Sequence, residues 1–323
     1  MSRRRFRAKL ELRLARLALA TLPRLSRPTL CRLSVVLGSL AFYFGGGRTR
    51  RVAEANLDLV FPDKSRAEKK RILKTSLQSF ALAMLDVFWL TKDPNARLGE
   101  IVELDPRSNP LVQPGPMVCV TAHLGNWEIF GMAVSRQSGE PLTSVAATLK
   151  NHRVDELFNS LREATGQHVV ARKGAARPLM KALRENRKIA LVLDQNTKPI
   201  EGGVFVDFLG RPAPISGAAA LLALRTGAPL IVDVLLPIAG GRYRSRETVF
   251  IDKTGLPSDH DAAILVLTQR IADVLSEIIR RHPEYWVWSY KRWKIRPPDA
   301  KAEDYPYYSR PLNPTDLPVT ERG

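Results

Sequence analysis

Apolar and polar positions change rhythm near residue 100. From there on, short apolar runs at 117–121, 142–148, 168–171, 188–193 and 230–236 have strand length. Amphipathic stretches at 127–137, 154–165, 176–185 and 217–225 alternate with them and predict helices. A strongly periodic helix follows at 262–281, and Gly240-Gly241 divides two strand-like runs as a hairpin turn would. Strands alternating with helices predict an α/β fold: a mixed, mostly parallel sheet flanked by helices. Before residue 100 the pattern is helical. Ser65-Arg66-Ala67-Glu68 matches a capping box that opens a helix reaching about Leu90. Three segments result: a basic, apolar membrane-anchoring stretch at 1–47, an α/β domain at 48–296 with a helical lead-in at 48–99, and an irregular, proline-rich tail at 297–323.

Composition changes this picture at the N-terminus. The chain has 323 residues, 45% of them hydrophobic, and a net charge of +18. Residues 1–32 carry ten basic side chains and one acid, about half of that charge in a tenth of the length. Lys9, Arg13 and Arg16 share one helical face and Leu10, Leu14 and Leu17 another, the pattern of a basic helix lying at a membrane interface or packed on its own domain. The apolar stretch 33–47 holds 15 residues, short of the roughly 20 that span a bilayer. The arginines before it favour the cytoplasmic face for that side of the stretch. A zinc-finger pattern and an aromatic RNA-binding run are both missing, so nucleic acid is not the expected partner. Cys31 and Cys119 are isolated thiols, and the histidines lack ligand spacing, so neither a metal nor another cofactor is expected.

Candidate chemistry centres on His123-Leu-Gly-Asn-Trp-Glu128, just after the 117–121 strand. A base and a carboxylate five residues apart at a strand-to-helix junction suit a histidine held in one tautomer. The chain has no G-x-S-x-G elbow, which favours activation of a hydroxyl belonging to the substrate over one belonging to the enzyme, and so no covalent enzyme intermediate. Ligands in open α/β sheets sit beyond the carboxyl ends of strands. Arg172, Asp194 and Gln195 fall at such ends beside His123, bringing a base, a cation and an acid to one edge.

These residues resemble the lipid A biosynthesis acyltransferases (lauroyl/myristoyl type), part of the wider glycerolipid acyltransferase group. His123 to Glu128 resembles the family's HX4(D/E) motif. V-A-R-K-G at 170–174, L-D-Q at 193–195, G-G-V-F-V-D-F-L-G at 202–210, R-T-G-A-P at 225–229 and P-E-Y-W-V-W-S-Y-K-R-W-K at 283–294 resemble later blocks. One departure is that relatives carry a proline near the position of Asp233, whereas here Pro237 comes later. The resemblance implies transfer of an acyl chain from acyl carrier protein to a hydroxyl of a lipid A precursor at the inner membrane. His123 is then the general base, with Glu128 fixing its ring. Backbone N–H groups at 125–127 are candidates for the oxyanion, and Asn126 is either a further donor or a helix cap. Arg172 holds a phosphate or simply faces solvent. Asp194 positions Arg172 or the acceptor, or closes a turn. Phe205 and Phe208 line an acyl tunnel or pack in the core. The aromatic-basic run at 285–296 suits either a membrane interface or a domain edge. Another glycolipid acceptor fits the same residues, and a non-catalytic basic membrane-binding protein is the alternative of a different class.

Overall fold

The structure is a computed structural model describing residues 13, 15–107, 109–146 and 151–317. Lys9, Leu10 and Leu14, half of the expected amphipathic pattern, lie outside the described residues. Helices α1 (Arg27–Phe44), α2 (Gly47–Val60), α3 (Arg66–Trp89) and α4 (Pro94–Ile101) lead in. The Ser65–Glu68 capping box opens α3 as the sequence predicts. Helix α1 packs along α3. Gly38 permits the close approach, since a Cβ there would stand 2.4 Å from the Cα of Gln78. Among the described residues no single helix is long and apolar enough to cross a membrane; α1 and α2, bent by 94°, pass that test only together.

The chain then builds a six-stranded sheet. Its members are β2 (Met117–Thr121), β3 (Leu142–Ala146), β4 (Gln167–Ala171), β5 (Lys188–Val192), β8 (Leu230–Val232) and β11 (Val249–Phe250). The order is β11-β8-β2-β5-β3-β4, parallel from β8 to β4 and antiparallel at the β11 edge. Crossover helices α5 (Trp127–Ser138), α6 (His152–Ala164), α7 (Ala176–Arg184) and α8 (Ala218–Thr226) connect the strands. A long helix, α9 (His260–Arg281), follows. Every residue of β2 is buried, as both covered faces require. Val118 and Val120 join the core under α7, α8 and α9; Met117 and Cys119 join the core under α5.

The architecture is α/β and mixed, as expected, but it has several sheets and not one mostly parallel sheet. The 230–236 run divides between two of them. After β8 the Asp233 carboxylate accepts from the N–H of Val234 at 2.7 Å and from the hydroxyls of Ser245 and Thr248. The chain turns there, and β9 (Leu235–Ile238) joins a second sheet with β10 (Arg242–Ser245) and β1 (Val102–Glu103), in the order β1-β10-β9. The Gly240-Gly241 turn links β9 to β10 as an antiparallel hairpin. A third sheet pairs β6 (Gly203–Phe208) with β7 (Arg211–Ser216). Pro212 and Pro214 hide β7 from a propensity reading. The last is β12 (Ile295–Arg296) with β13 (Arg310–Pro311). Residues 298–317 are largely irregular but packed, with Tyr305, Tyr308 and Leu312 buried.

Candidate active site

Strand β2 is where the sheet changes direction of winding: β5 pairs with it on one side and β8 on the other. The loop leaving its carboxyl end carries His123, at the place where open α/β sheets bind ligands. Gly125 makes the loop possible. Its φ is +65°, and a Cβ there would lie 2.0 Å from the carbonyl oxygen of Leu235. Asn126 then caps α5 by accepting from the N–H of Ile129 at 3.3 Å.

His123 is held by Asp194, two residues beyond β5. The carboxylate accepts from Nδ1 at 2.6 Å and from the His123 backbone N–H at 2.9 Å. It also accepts from Trp286 Nε1 at 2.7 Å. Asp194 is buried, whereas a quarter of the His123 side chain is exposed. With Nδ1–H committed to the carboxylate, Nε2 faces the cavity as the free base, 3.3 Å from the amide nitrogen of Gln195. Burial works against the imidazolium, but the Asp194 charge and hydrogen bond override it and raise the His123 pKa above 6.5, with a smaller push from Glu128. Burial works equally to raise Asp194; the facing imidazole and the hydrogen bonds outweigh it, and its carboxyl stays below its ordinary value.

This arrangement corrects the expected pairing. Glu128 does not hold the His123 ring. Its Oε2 accepts from Arg162 of α6 at 2.6 Å and its Oε1 from Trp127 Nε1 at 3.2 Å. As the second residue of α5 it turns along the helix toward α6, and it acts on His123 only through space. Trp127 stands edge-on to the imidazole at 4.9 Å, with Phe80 of α3 stacked behind it.

Other expectations fall out differently. Asn126 is fully buried and occupied at both ends, donating to Asp86 at 2.9 Å besides capping α5. It is the cap and does not face the cavity. Asp86 also accepts from Tyr243 at 2.5 Å and pairs with Arg27 of α1. Burial opposes the charge on Arg27, yet the Asp86 carboxylate keeps its pKa raised. Of the three N–H groups considered for an oxyanion, Gly125 donates to Tyr285 and Asn126 to Leu235, which leaves that of Trp127. Phe205 and Phe208 do not line the cavity. Phe208 is buried between Trp286 and Arg292, and Phe205 sits in the β6–β7 ladder. Arg172 is exposed at the cavity rim and pairs with Glu201 at 2.8 Å. The aromatic run at 285–293 is not a membrane face: Trp286, Trp288 and Trp293 are buried. Instead it braces the His123 loop, through Trp286 on Asp194 and the Val287 N–H on the His123 carbonyl. Reading the sequence alone misses Trp286 and Arg162; the density of tryptophans at 286–293 is the signal that points to the first.

His123 opens onto a cavity of about 1530 Å³. On one side of the sheet its wall is apolar, with Cys119, Phe130, Val134 and Leu142 drawn from the core under α5. On the other side it runs between α7 and α8. A base with one free nitrogen at the mouth of an apolar channel can deprotonate a hydroxyl beside a sequestered hydrocarbon chain.

Residues 11–295 match the family described as bacterial lipid A biosynthesis acyltransferase. A phosphatidylinositol mannoside acyltransferase of Mycolicibacterium smegmatis is 28% identical over 69% of this chain and 72% of its own length. The lipid A biosynthesis palmitoleoyltransferase of Escherichia coli is 24% identical over 84% and 86%. The myristoyltransferase of the same organism is 26% identical over 91% and 88%. The chain belongs to the bacterial lipid A biosynthesis acyltransferase family and is an acyltransferase.

Proposed function

We propose that this protein moves a fatty acyl chain from the thioester of acyl carrier protein to a hydroxyl of a lipid A precursor, at the cytoplasmic face of the inner membrane. The observation that carries the reading is the His123–Asp194 pair, with Nε2 free at the mouth of the apolar channel. A sugar or acyl-chain hydroxyl is too weak an acid to react unaided, so the base must act during attack. The hydroxyl displaces the Gln195 amide from Nε2 and gives its proton to His123 as its oxygen bonds to the thioester carbon. Asp194 neutralises the imidazolium. The oxyanion forms near the N-terminus of α5, where the Trp127 N–H and the helix dipole oppose its charge. Collapse breaks the carbon–sulfur bond, and His123 returns the proton to the departing thiolate. The acyl chain lies along Cys119, Phe130, Val134 and Leu142. Glu128 holds Arg162 and Trp127 in the wall and adds negative potential at His123.

Membrane association has its own support. Val36, Leu37, Leu40 and Phe44 on α1 are exposed, and Phe80, also exposed, lines the cavity. Exposed apolar side chains on the lead-in helices, one of them reaching the cavity, suit substrates drawn from a bilayer. The relatives favour a second acceptor, another membrane glycolipid, because the phosphatidylinositol mannoside acyltransferase shares the higher identity over a shorter stretch.

The test is acyl transfer in detergent, with wild type and His123→Ala given lauroyl- and myristoyl-carrier protein and a tetra-acylated lipid A precursor. The expected product is heavier by one acyl chain and is lost in the variant. No product with folded wild type, but product with a mannosylated phosphoinositide, selects the second acceptor.

A further inference from the structure

The catalytic pair uses the sheet edge and the channel under α5. It leaves unexplained the cations on the opposite side of the cavity. Helix α7 carries Arg177, Lys181 and Arg184 at spacings of four and three, so they share one face, while Leu179, Ala182 and Leu183 are buried on the other. Arg225, near the end of the neighbouring α8, joins them, and all four line the cavity that reaches His123. The row from Arg177 to Arg184 extends for about 10 Å along the helix.

Two other cations that line the cavity, Arg162 and Arg172, are neutralised, as are cations elsewhere on the surface. Arg162 pairs with Glu128, Arg172 with Glu201, Arg244 with Glu103 and Arg281 with Glu247. Among the described residues, Arg177, Arg184 and Arg225 have no ion pair, and Lys181 has only Glu185 at 3.6 Å, which also serves Arg187. Helix dipoles explain part of the arrangement, since cations in the last turns of α7 and α8 are favoured. They do not explain Arg177. It lies in the first turn of α7, which holds no acid and where a cation opposes the dipole. Like charges gathered on one cavity wall, one of them at the wrong end of its helix, create a potential that an anion relieves.

We propose that Arg177, Lys181, Arg184 and Arg225 form a subsite for a phosphate group of a substrate, separate from Arg172. The subsite rests on the acyl-transfer reading only for the identity of the molecule carrying the phosphate, which is either the glycolipid acceptor's headgroup or the donor's phosphopantetheine arm. The geometry suits an amphiphile. The apolar channel under α5 takes the hydrocarbon chain, and His123 sits at the sheet edge. The cationic wall lies on the far side, where the charged end of a substrate points away from hydrocarbon. Guanidinium groups match phosphate oxygens with paired hydrogen bonds.

The test compares wild type with the double variant Arg184→Gln/Arg225→Gln, whose altered side chains are exposed and leave the core untouched. Arg66→Gln/Lys70→Gln, on the exposed start of α3, removes the same charge elsewhere. Inorganic pyrophosphate is titrated calorimetrically at low and high salt, and transfer kinetics are measured with donor and acceptor varied in turn. Wild type and the Arg66/Lys70 control bind pyrophosphate, more weakly as salt rises, and Arg184→Gln/Arg225→Gln loses about 10-fold or more in affinity. Its KM rises by a similar factor for one substrate, with kcat changed far less: a rise for acceptor assigns the headgroup, and a rise for donor assigns the phosphopantetheine. Unchanged KM for both substrates overturns the proposal, whatever pyrophosphate does. If wild type transfers no acyl chain between the donor and acceptor supplied, that choice of substrates fails, and the subsite stands or falls on the pyrophosphate titration alone.

Discussion

Strand β2 is flanked by two strands that each end in a buried carboxylate, Asp194 beyond β5 and Asp233 beyond β8. Both accept several hydrogen bonds. Asp194 receives two from His123 and one from Trp286; Asp233 receives them from Ser245, Thr248, Asn109 and the Val234 N–H. Yet their pKa values move in opposite directions. Asp194 is held below its ordinary value, while burial pushes Asp233 up to about 6 against all of its hydrogen bonds. The difference is the partner's charge. Hydroxyls and amides donate to a carboxylate but bring no counter-charge, so burial still penalises the anion. An imidazole that can become an imidazolium removes that penalty. Two carboxylates at matching strand ends thus become, on one side, half of a proton-transfer pair and, on the other, a brace for β9 and β10 whose charge burial penalises.

The largest expected effect comes from breaking the charged side of this comparison. Asp194→Asn keeps an acceptor near Nδ1 and removes the charge. We expect transfer to fall by about 10²–10⁴-fold, the range of general-base help, with His123→Ala in the same range. The pH profile separates the two roles. In wild type the base must be neutral, so kcat/KM rises with pH through an inflection above 6.5. Without the Asp194 charge, burial is the main influence left on His123, and the residual activity inflects at lower pH. An inflection that stays in place means that Asp194 does not set the histidine's proton affinity.

Sequence periodicity revealed the parallel strands and their helices because each is local and carries its own period of two or 3.6. It also exposed His123, Asp194 and Gln195, since all three stand at strand ends that the pattern locates. What it hid was the pairing. Glu128 is His123's neighbour along the chain, but the first turn of α5 carries it toward Arg162, while Asp194 arrives from 71 residues away through the β2–β5 register. Trp286 comes from farther still, across an isolated bridge to Leu124. The aromatic segment misled for a related reason. Tryptophans beside arginines have the composition of a membrane interface, and only the tertiary fold puts Trp286 and Trp288 edge to face in the core at 4.7 Å. For Phe205 and Phe208, spacing alone could not distinguish channel wall from core; Phe208 packs under Arg292, whose pKa burial lowers to about 10.

Asp233 gives the next effect, on stability. Its folded pKa of about 6 exceeds the unfolded value of 3.8, so the folded state binds the proton more tightly. The stabilisation is therefore complete below pH 4 and is lost as pH rises to about 6. A shift of that size corresponds to about 3 kcal/mol between the two limits. Asp233→Asn, which cannot ionise, removes this component. Denaturant unfolding of both proteins at pH 4 and 7.5 reads it: the stability difference between variant and wild type moves in the variant's favour at the higher pH. A difference that does not change with pH means that the neutral donors around Asp233 do compensate its charge.

The smallest effect sharpens the comparison at Glu128, whose charge reaches His123 only through space and is shared with Arg162. Glu128→Gln preserves side-chain volume and an acceptor for Arg162 while removing one negative charge near the base. If charge contact governs the His123 proton, the kcat/KM inflection moves to lower pH, but by less than in Asp194→Asn, because the hydrogen-bonded carboxylate remains. The measurement is the same pH profile in both variants, and the ordering of the two shifts is the result. An equal or larger shift in Glu128→Gln would place the ring's controlling charge in α5 and require Glu128 to leave Arg162 and turn to the imidazole when substrate binds.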